Sequence, residues 1–126
     1  MAKAVGVGGV FLRAQDPEKL QDWYARHLGI RSYEGGSLGF EGPETLGMTV
    51  FAHFPQGTKY FGDGPQQAMV NFRVDDLDAL LGELAAAGVR IDPKREDASY
   101  GRFAWICDPE GNRVELWEPT APTAKE

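Results

Sequence analysis

Two arginines stand at corresponding places in two segments of the chain that match position for position. Arg13 lies in GGVFLRAQD at 8–16, and Arg73 lies in AMVNFRVDD at 68–76. A guanidinium group can hold a carboxylate or a carbonyl oxygen through two parallel hydrogen bonds, or it can form a structural salt bridge. Asn71, two residues before the second arginine, can orient a ligand by hydrogen bonding or satisfy a buried backbone group. The pair of segments therefore suggests recognition of a small anionic or carbonyl compound.

Two side chains that can exchange protons lie in a second pair of matching segments. His53 lies in TVFAHFP at 49–55, and Glu115 lies in RVELWEP at 113–119. Glu115 can act as a general base in a dry pocket, or it can form an ion pair with one of the two arginines. His53 can act as an acid–base group near neutral pH, or it can pack as a core residue. The residues alone leave these alternatives open.

The matching segments predict a tandem duplication of a unit of about 50–55 residues with the order βαβββ. In the first half, a strand over about 7–14 precedes a helix with Asp16 as N-cap and Pro17 at its first position, and Gly29 ends the helix. One helix face is expected to pack on the sheet: Leu20, Trp23, Tyr24, His27 and Leu28. Strands are predicted near 31–34, 38–41 and 46–54, with a turn in GPET at 42–45.

The second half repeats this order. Asp75 or Asp76 is the expected N-cap of a helix that ends at Gly88. The apolar face of this helix consists of Leu77, Leu80, Leu81 and Leu84. Strands are predicted near 89–92, 100–107 and 112–118, and DPEGN at 108–112 predicts a hairpin turn, because Pro presets φ and Gly supplies a positive φ.

Length and composition predict one domain. It comprises a module over 5–55, a linker over 56–65 that is rich in Gly and Pro, a module over 66–119 and a flexible tail over 120–126. With 13 basic and 19 acidic residues the net charge is −6, which argues against a nucleic-acid partner. A single cysteine, and no recognisable leader or membrane-spanning segment, predict a cytoplasmic protein without membrane association.

Strand alternation predicts which side chains face away from the two helices. On the first strand of each half, alternation points Val10, Leu12 and Ala14, and likewise Val70, Phe72 and Val74, toward the helix. The opposite face is then expected to line a shared cavity, in the mixture of aromatic and polar groups typical of small-molecule sites. Its predicted residues are Gly9, Phe11, Arg13, Thr49, Phe51, His53, Met69, Asn71, Arg73, Phe103, Trp105, Cys107, Arg113, Glu115 and Trp117.

The duplication, together with FLRAQDPEKLQDWYARHLGI at 11–30 and DPEGNRVELWEP at 108–119, resembles the vicinal oxygen chelate superfamily. This superfamily includes glyoxalase I, extradiol dioxygenases, fosfomycin-resistance enzymes and bleomycin-resistance proteins. The resemblance implies an α+β fold in which two βαβββ modules form a curved, partly closed mixed sheet around a central cavity. It also implies a homodimer. Since one scaffold supports many chemistries, the resemblance specifies the fold more closely than the activity.

Metal-dependent members of the superfamily bind a divalent ion through residues on the first and last strands of each half. Carried over to this chain, those positions are Gly9, Phe51, Met69 and Glu115. Only Glu115 offers a donor that suits a hard or borderline cation. Even with His53 nearby, two candidate ligands fall short of the three that a catalytic zinc ion normally keeps. No metal and no other cofactor is expected.

Three functions are compatible with these residues. The first is a metal-independent enzyme acting on a small organic molecule, in which Glu115 is the base or its partner and Arg13, Arg73 and Asn71 position the ligand. The second is a sequestering protein that binds a planar or cationic drug-like ligand between aromatic side chains. The third is a metal-dependent lyase or dioxygenase with displaced ligands, built on His53 and Glu115.

Overall fold

The computed structural model describes residues 2–33, 36–42 and 47–120. The described elements of the first half are β1 (Ala4–Ala14), α1 (Pro17–Leu28), β2 (Arg31–Ser32), β3 (Leu38–Gly42) and β4 (Gly47–Pro55). Those of the second half are β5 (Ala68–Val74), α2 (Leu77–Ala86), β6 (Arg90–Ala98), β7 (Gly101–Cys107) and β8 (Arg113–Pro119). The α+β class and the βαβββ duplication are therefore confirmed. The predicted GPET turn lies outside the described residues except for Gly42, and the predicted tail beyond residue 120 lies outside them entirely.

Both helices begin in the same way. The side chain of Asp16 accepts a hydrogen bond from the backbone N–H of Lys19, and that of Asp76 accepts one from Ala79, each at 3.1 Å. These are the carboxylate N-caps that the sequence predicts, since each satisfies a backbone donor that the first helical turn leaves unpaired. α1 ends at Gly29, whose φ of 68° allows its N–H to reach the carbonyl of Ala25.

The strands of the two halves pair in the same order. In the first half the order is β2-β3-β4-β1, and in the second it is the corresponding β6-β7-β8-β5. The first and last strands of each half are parallel, and the other neighbours are antiparallel. A parallel first and last strand requires a crossover, and in each half α1 or α2 with the two intervening strands supplies it.

By packing, the described residues divide into two compact units. Residues 7–70 form the first unit, whereas residues 2–6 and 71–120 form the second unit. The N-terminal residues join the second unit because Lys3 and Asp75 bond to each other: Lys3 N–H donates to the Asp75 carboxylate at 2.9 Å, and Asp75 N–H donates to the Lys3 carbonyl at 3.2 Å. The Gly- and Pro-rich linker belongs entirely to the first unit.

One predicted face is wrong. β1 and β4 pair Val10 with Phe51 and Leu12 with His53, so these side chains share the α1 face of the sheet. The ring of Tyr24 in α1 confirms this, because it lies 4.9 Å from the Phe51 ring and 5.4 Å from the His53 ring. Phe51 and His53 therefore point toward the helix, not away from it.

The error arises from the alignment of the last strands. Arg13 pairs with Phe54 in the first unit, and its counterpart Arg73 pairs with Trp117 in the second. Phe54 is thus the structural counterpart of Trp117, one residue away from the match that the sequence repeat suggests. By the same register, the counterpart of Glu115 is Ala52.

The second unit has an apolar core between α2 and its sheet. Its buried centre consists of Val74, Leu77, Ala104 and Leu116. Phe72, Leu80, Leu81, Leu84, Ile106 and Val114 pack around that centre. The predicted α2 face and the predicted helix side of β5 are therefore confirmed, and Val114 and Leu116 of β8 lie on the same side.

α1 covers its sheet less completely. Leu20 and Tyr24 are half-buried, but Trp23 is 50% exposed and Leu28 is 62% exposed. His27 is also exposed, and its ring lies 4.9 Å from that of Trp23, so the prediction that it packs on the sheet is wrong.

No helix in the described part of the chain has the length and apolar character needed to cross a membrane.

β6 is longer than predicted, because it runs through the charged segment after residue 92. The sequence predicted a strand only near 89–92. In the structure the pairing with β7 shifts between Ile91 and Arg95 and then continues to Ala98. Pro93 lies inside this irregularity, where its missing N–H breaks no regular ladder bond.

Candidate functional site

Three buried polar side chains line the face of the second unit opposite α2. Asn71 is 2% exposed, Arg73 6% and Glu115 1%. Asn71 and Arg73 are two residues apart on β5, and Asn71 pairs with Glu115 across the parallel ladder with β8. The α2 side already supplies an apolar core, so this polar row is a cost to stability that the fold does not require. Such exceptions to core packing are typical of functional sites.

Hydrogen bonds orient the Glu115 carboxylate from both sides. Its Oε2 accepts a hydrogen bond from Asn71 Nδ2 at 2.5 Å, and its Oε1 accepts one from Trp105 Nε1 at 2.9 Å. Trp105 is itself fully buried. A buried carboxylate is costly unless hydrogen bonds compensate for lost hydration, and these two donors provide part of that compensation. The carboxylate is therefore held in one orientation, as a positioned base requires.

Cationic groups flank the tryptophan that holds this carboxylate. The Lys94 ammonium lies 5.0 Å from the Trp105 ring centroid, and the Arg113 guanidinium carbon lies 5.2 Å from it. Arg113 is fixed in turn by Asp92 at 2.6 Å, and this hydrogen bond from Arg113 holds the pKa of the Asp92 carboxyl below its usual value. These contacts anchor the ring whose N–H reaches Glu115.

Arg73 lies beside a pair of stacked rings. Its guanidinium carbon is 6.0 Å from the Trp117 ring centroid, and the Phe103 and Trp117 rings stack at 5.9 Å with an interplanar angle of 4°. Burial lowers the pKa of Arg73, because removing a cation from water disfavours its charged form. The second unit thus brings together six predicted site residues on one face: Asn71, Arg73, Phe103, Trp105, Glu115 and Trp117.

Arg13 has a different environment from its counterpart. Its Nε donates to the carbonyl of Gln66 at 2.9 Å, and its Nη1 donates to the carbonyls of Gln56 and Thr58 at 2.7 and 2.8 Å. The guanidinium carbon also lies 4.9 Å from the Phe61 ring centroid. Within residues 2–33, 36–42 and 47–120, Arg13 forms no ion pair. Its side chain ties the linker to β1, and a ligand-binding role for it stays a prediction.

An aromatic cluster fills the face of the first unit opposite α1. Phe54 stacks on Tyr60 at 5.0 Å with an interplanar angle of 8°, and its ring lies 5.5 Å from both Phe11 and Phe61. Phe61 is 0% exposed, although sequence reasoning placed it in a linker and missed it. The signal that could have found it is the Tyr60-Phe61 pair, two adjacent aromatics within an otherwise polar, Gly-rich segment.

His53 is stacked against α1, as described above, and makes no polar contact there. Neither of its ring nitrogens has a hydrogen-bond partner among the described residues. Burial lowers the pKa of His53, since the charged imidazolium loses hydration that nothing replaces. The imidazole is therefore neutral at pH 7, and its predicted catalytic role stays a prediction without a described proton partner.

The residues at the family's metal positions do not fit a divalent ion. The β4 register replaces Phe51 with Ala52 at the corresponding position, and neither side chain can coordinate a metal. Gly9 has no room for a ligand, because a Cβ there would lie 2.8 Å from the Val50 carbonyl oxygen. Met69 offers only a soft thioether, which leaves Glu115 as the one hard donor. No group of three His, Cys, Asp or Glu side chains with metal-site geometry occurs in the described part of the chain.

Comparison with known proteins agrees with this architecture. The family model described as "Glyoxalase/Bleomycin resistance protein/Dioxygenase superfamily" matches residues 6–116. No curated protein matches the chain. The sequence resemblance to the vicinal oxygen chelate superfamily is thereby confirmed.

Several solved structures share the fold. Methylmalonyl-CoA epimerase from Mycobacterium tuberculosis is 22% identical with a TM-score of 0.67, covering 93% of this chain and 89% of that one. A Streptomyces coelicolor methylmalonyl-CoA epimerase variant in complex with 2-nitronate-propionyl-CoA is 15% identical with a TM-score of 0.72, covering 94% and 100%. A Legionella pneumophila chain described as NAD-dependent benzaldehyde dehydrogenase is 14% identical with a TM-score of 0.62, covering 89% and 98%. At these identities the likeness shows the fold alone.

Proposed function

The chain belongs to the Glyoxalase/Bleomycin resistance protein/Dioxygenase superfamily, and within it we propose a metal-independent enzyme that transfers a proton on a small carbonyl compound. Glu115 is the general base in this proposal. The observation that carries it is the buried carboxylate held by Asn71 and Trp105, at 2.5 and 2.9 Å. A carboxylate that is 1% exposed and fixed from two sides is poised to accept a proton without first shedding water.

The reaction is a proton transfer at a carbon next to a carbonyl group. Glu115 removes the proton from that carbon, and the electron pair of the broken C–H bond moves into the carbonyl to form an enolate. Arg73 stabilises the negative charge on the enolate oxygen, since a partly desolvated guanidinium interacts more strongly with an anion than a hydrated one does. Return of the proton from the Glu115 carboxylic acid to carbon restores the carbonyl and leaves the enzyme unchanged.

The structural neighbours support this class of chemistry without supplying the substrate. An epimerase inverts a carbon centre, and the neighbours named methylmalonyl-CoA epimerase share the fold with TM-scores of 0.67 and 0.72. Their identities of 22% and 15% are too low to carry the acyl-CoA substrate to this chain. Proton transfer at carbon is proposed here on the strength of Glu115 and its neighbours.

A second candidate function is sequestration of a planar ligand. The observation that favours it is the parallel stack of Phe103 on Trp117, which offers a flat apolar wall beside Arg73. A sequestering protein would bind such a ligand without using Glu115 as a base. Binding without proton transfer therefore separates the two candidates.

The test is solvent deuterium exchange at the α-carbon of α-hydroxyacetophenone, a ketone with a flat ring, followed by proton NMR in heavy water with a chelator present. We expect the wild-type protein to accelerate exchange and Glu115→Gln to lose at least about a hundredfold of that rate. The matched control is Glu110→Gln, an exposed residue of the β7–β8 hairpin, which should leave the rate unchanged. Thermal unfolding of each variant shows that it is folded.

Three outcomes would overturn the proposal. Unchanged exchange in a folded Glu115→Gln variant would remove the base. Exchange that appears only when zinc, nickel or manganese is added would instead support the metal-dependent alternative. Tight binding of the ketone with no exchange in any variant would favour sequestration.

A further inference from the structure

Asn71 presents a buried hydrogen-bond acceptor that has no partner in the part of the chain that the structure describes. Its Nδ2 donates to Glu115, but its Oδ1 accepts no hydrogen bond from any of the described residues. The side chain is 2% exposed, so bulk water does not solvate this oxygen. An amide oxygen buried without a hydrogen bond destabilises the folded protein relative to a hydrogen-bonded one.

The orientation of the amide follows from its neighbour. An ionised carboxylate can only accept hydrogen bonds, so the NH₂ end of Asn71 must face Glu115 and the oxygen must face the other way. If Glu115 carried the proton, the amide could turn around, and an NH₂ group would then be left without an acceptor. The two orientations predict opposite ligand chemistry and can be told apart by experiment.

The strand does not need an asparagine at this position. The repeat places Phe11 at the corresponding position of β1, where it packs in the aromatic cluster of the first unit. The same parallel pairing therefore forms with an apolar side chain. The polar side chain in β5 is best explained by what it contacts beyond the strand.

We infer that Asn71 Oδ1 determines specificity, by accepting a hydrogen bond from a hydroxyl or amino group of the substrate. This inference rests on the proposed function of Glu115. Because Nδ2 and Oδ1 belong to one carboxamide, the donor group of the substrate lies within a few ångströms of the carboxylate that removes the proton. The substrate class is thereby narrowed to carbonyl compounds with a hydroxyl or amino group on the carbon that is deprotonated.

The experiment compares three ligands that differ at one group. α-Hydroxyacetophenone can donate a hydrogen bond, α-methoxyacetophenone can only accept one at that position, and acetophenone can do neither. Binding is measured by ligand-detected NMR titration, which needs no turnover. With the wild-type protein we expect the hydroxy ketone to bind at least about tenfold more tightly than either of the others, because only it pairs with the buried acceptor.

A protein variant completes the comparison. Asn71→Ala should bring the three affinities to within about threefold of each other, since the acceptor is gone. Gln15→Ala, which changes an exposed amide, should retain the wild-type discrimination. If Asn71→Ala does not fold, the three-ligand comparison on the wild-type protein still decides the question.

The contrary results are equally specific. Tighter binding of the methoxy ketone would mean that an NH₂ group faces the ligand, and equal affinities or no binding of the hydroxy ketone at millimolar concentration would also overturn the inference. A failure of the proposed function gives another result. The protein would still bind the hydroxy ketone more tightly than the other two ligands, but it would not accelerate deuterium exchange. The two claims therefore fail separately.

Discussion

The two units use the same frame for different purposes. Arg13 and Arg73 occupy equivalent strand positions, yet Arg13 donates to three backbone carbonyls in and directly after the linker, whereas Arg73 lies buried beside the Trp117 ring. The first unit fills the face opposite its helix with aromatic side chains, and the second fills the same face with a carboxylate, an amide and a guanidinium. Duplication has thus preserved backbone pairing while the two faces have diverged, one toward packing and the other toward polar recognition.

The difference shows which half deserves functional study first. On the second face, every polar group costs stability unless it is paired, and Asn71 Oδ1 has no described partner. On the first face, the Nε and Nη1 atoms of Arg13 donate to backbone carbonyls. The chemistry proposed for this protein therefore belongs to the second unit.

The largest expected effect comes from removing a ring of the aromatic cluster in the first unit. Phe61→Ala should lower the free energy of unfolding by about 3–5 kcal/mol, because a fully buried ring leaves a cavity. The measurement is urea unfolding followed by circular dichroism. Phe40→Ala is the control, since Phe40 is 48% exposed and should cost much less. Equal costs for the two variants would show that the linker aromatics are not part of the core.

The next largest effect should come from the two arginines. Arg13→Met leaves three backbone carbonyls in and directly after the linker without their donor. We expect the free energy of unfolding to fall by about 1–3 kcal/mol and trypsin to cleave faster after Lys59 in the linker. Arg73→Met should leave cleavage at Lys59 at the wild-type rate, since the Arg73 side chain lies beside the Trp117 ring in the second unit. Slow cleavage in the Arg13→Met variant would contradict the tethering role.

The smallest predicted effect concerns pH. Burial lowers the pKa of His53 in the folded protein, so the unfolded chain binds its proton first as the pH falls below the ordinary value of 6.5. Stability from neutral His53 is therefore complete above that pH and is lost as the pH falls toward the folded value. We expect His53→Phe to show a shallower loss of Tm between neutral and mildly acidic buffer than the wild type. The exposed His27→Phe variant should follow the wild type, and parallel slopes for all three would contradict the assignment.

Much of the fold could be predicted from the sequence. Three local predictions are confirmed because each segment has one dominant conformation. These are the Asp-Pro start of α1, the Asp76 cap of α2 and the DPEGN turn. The polar face of the second unit was also predicted correctly. In β8 the apolar Val114 and Leu116 alternate with polar or amphipathic neighbours, so only one register buries the apolar side.

Elsewhere the local pattern was ambiguous. β4 carries apolar side chains on both faces, as at Val50, Phe51 and Ala52, so alternation could not choose between them. The match of TVFAHFP with RVELWEP, which aligns Pro55 with Pro119, then gave a register that is wrong by one residue. Phe61 was missed because glycines and prolines around it indicate a loop, and its burial depends on a contact with Arg13 from a distant strand.

The charged extension of β6 has a consequence for how the protein behaves at high concentration. β6 ends the row of strands in the second unit, and no described strand pairs with its outer edge. Free edges of this kind recruit strands from other molecules and start aggregation. Here the edge carries Pro93 within an irregular pairing and then the run KRED at 94–97, which repels a flat incoming strand. This charged segment, which lies beyond the predicted strand, therefore disfavours polymerisation through the β6 edge.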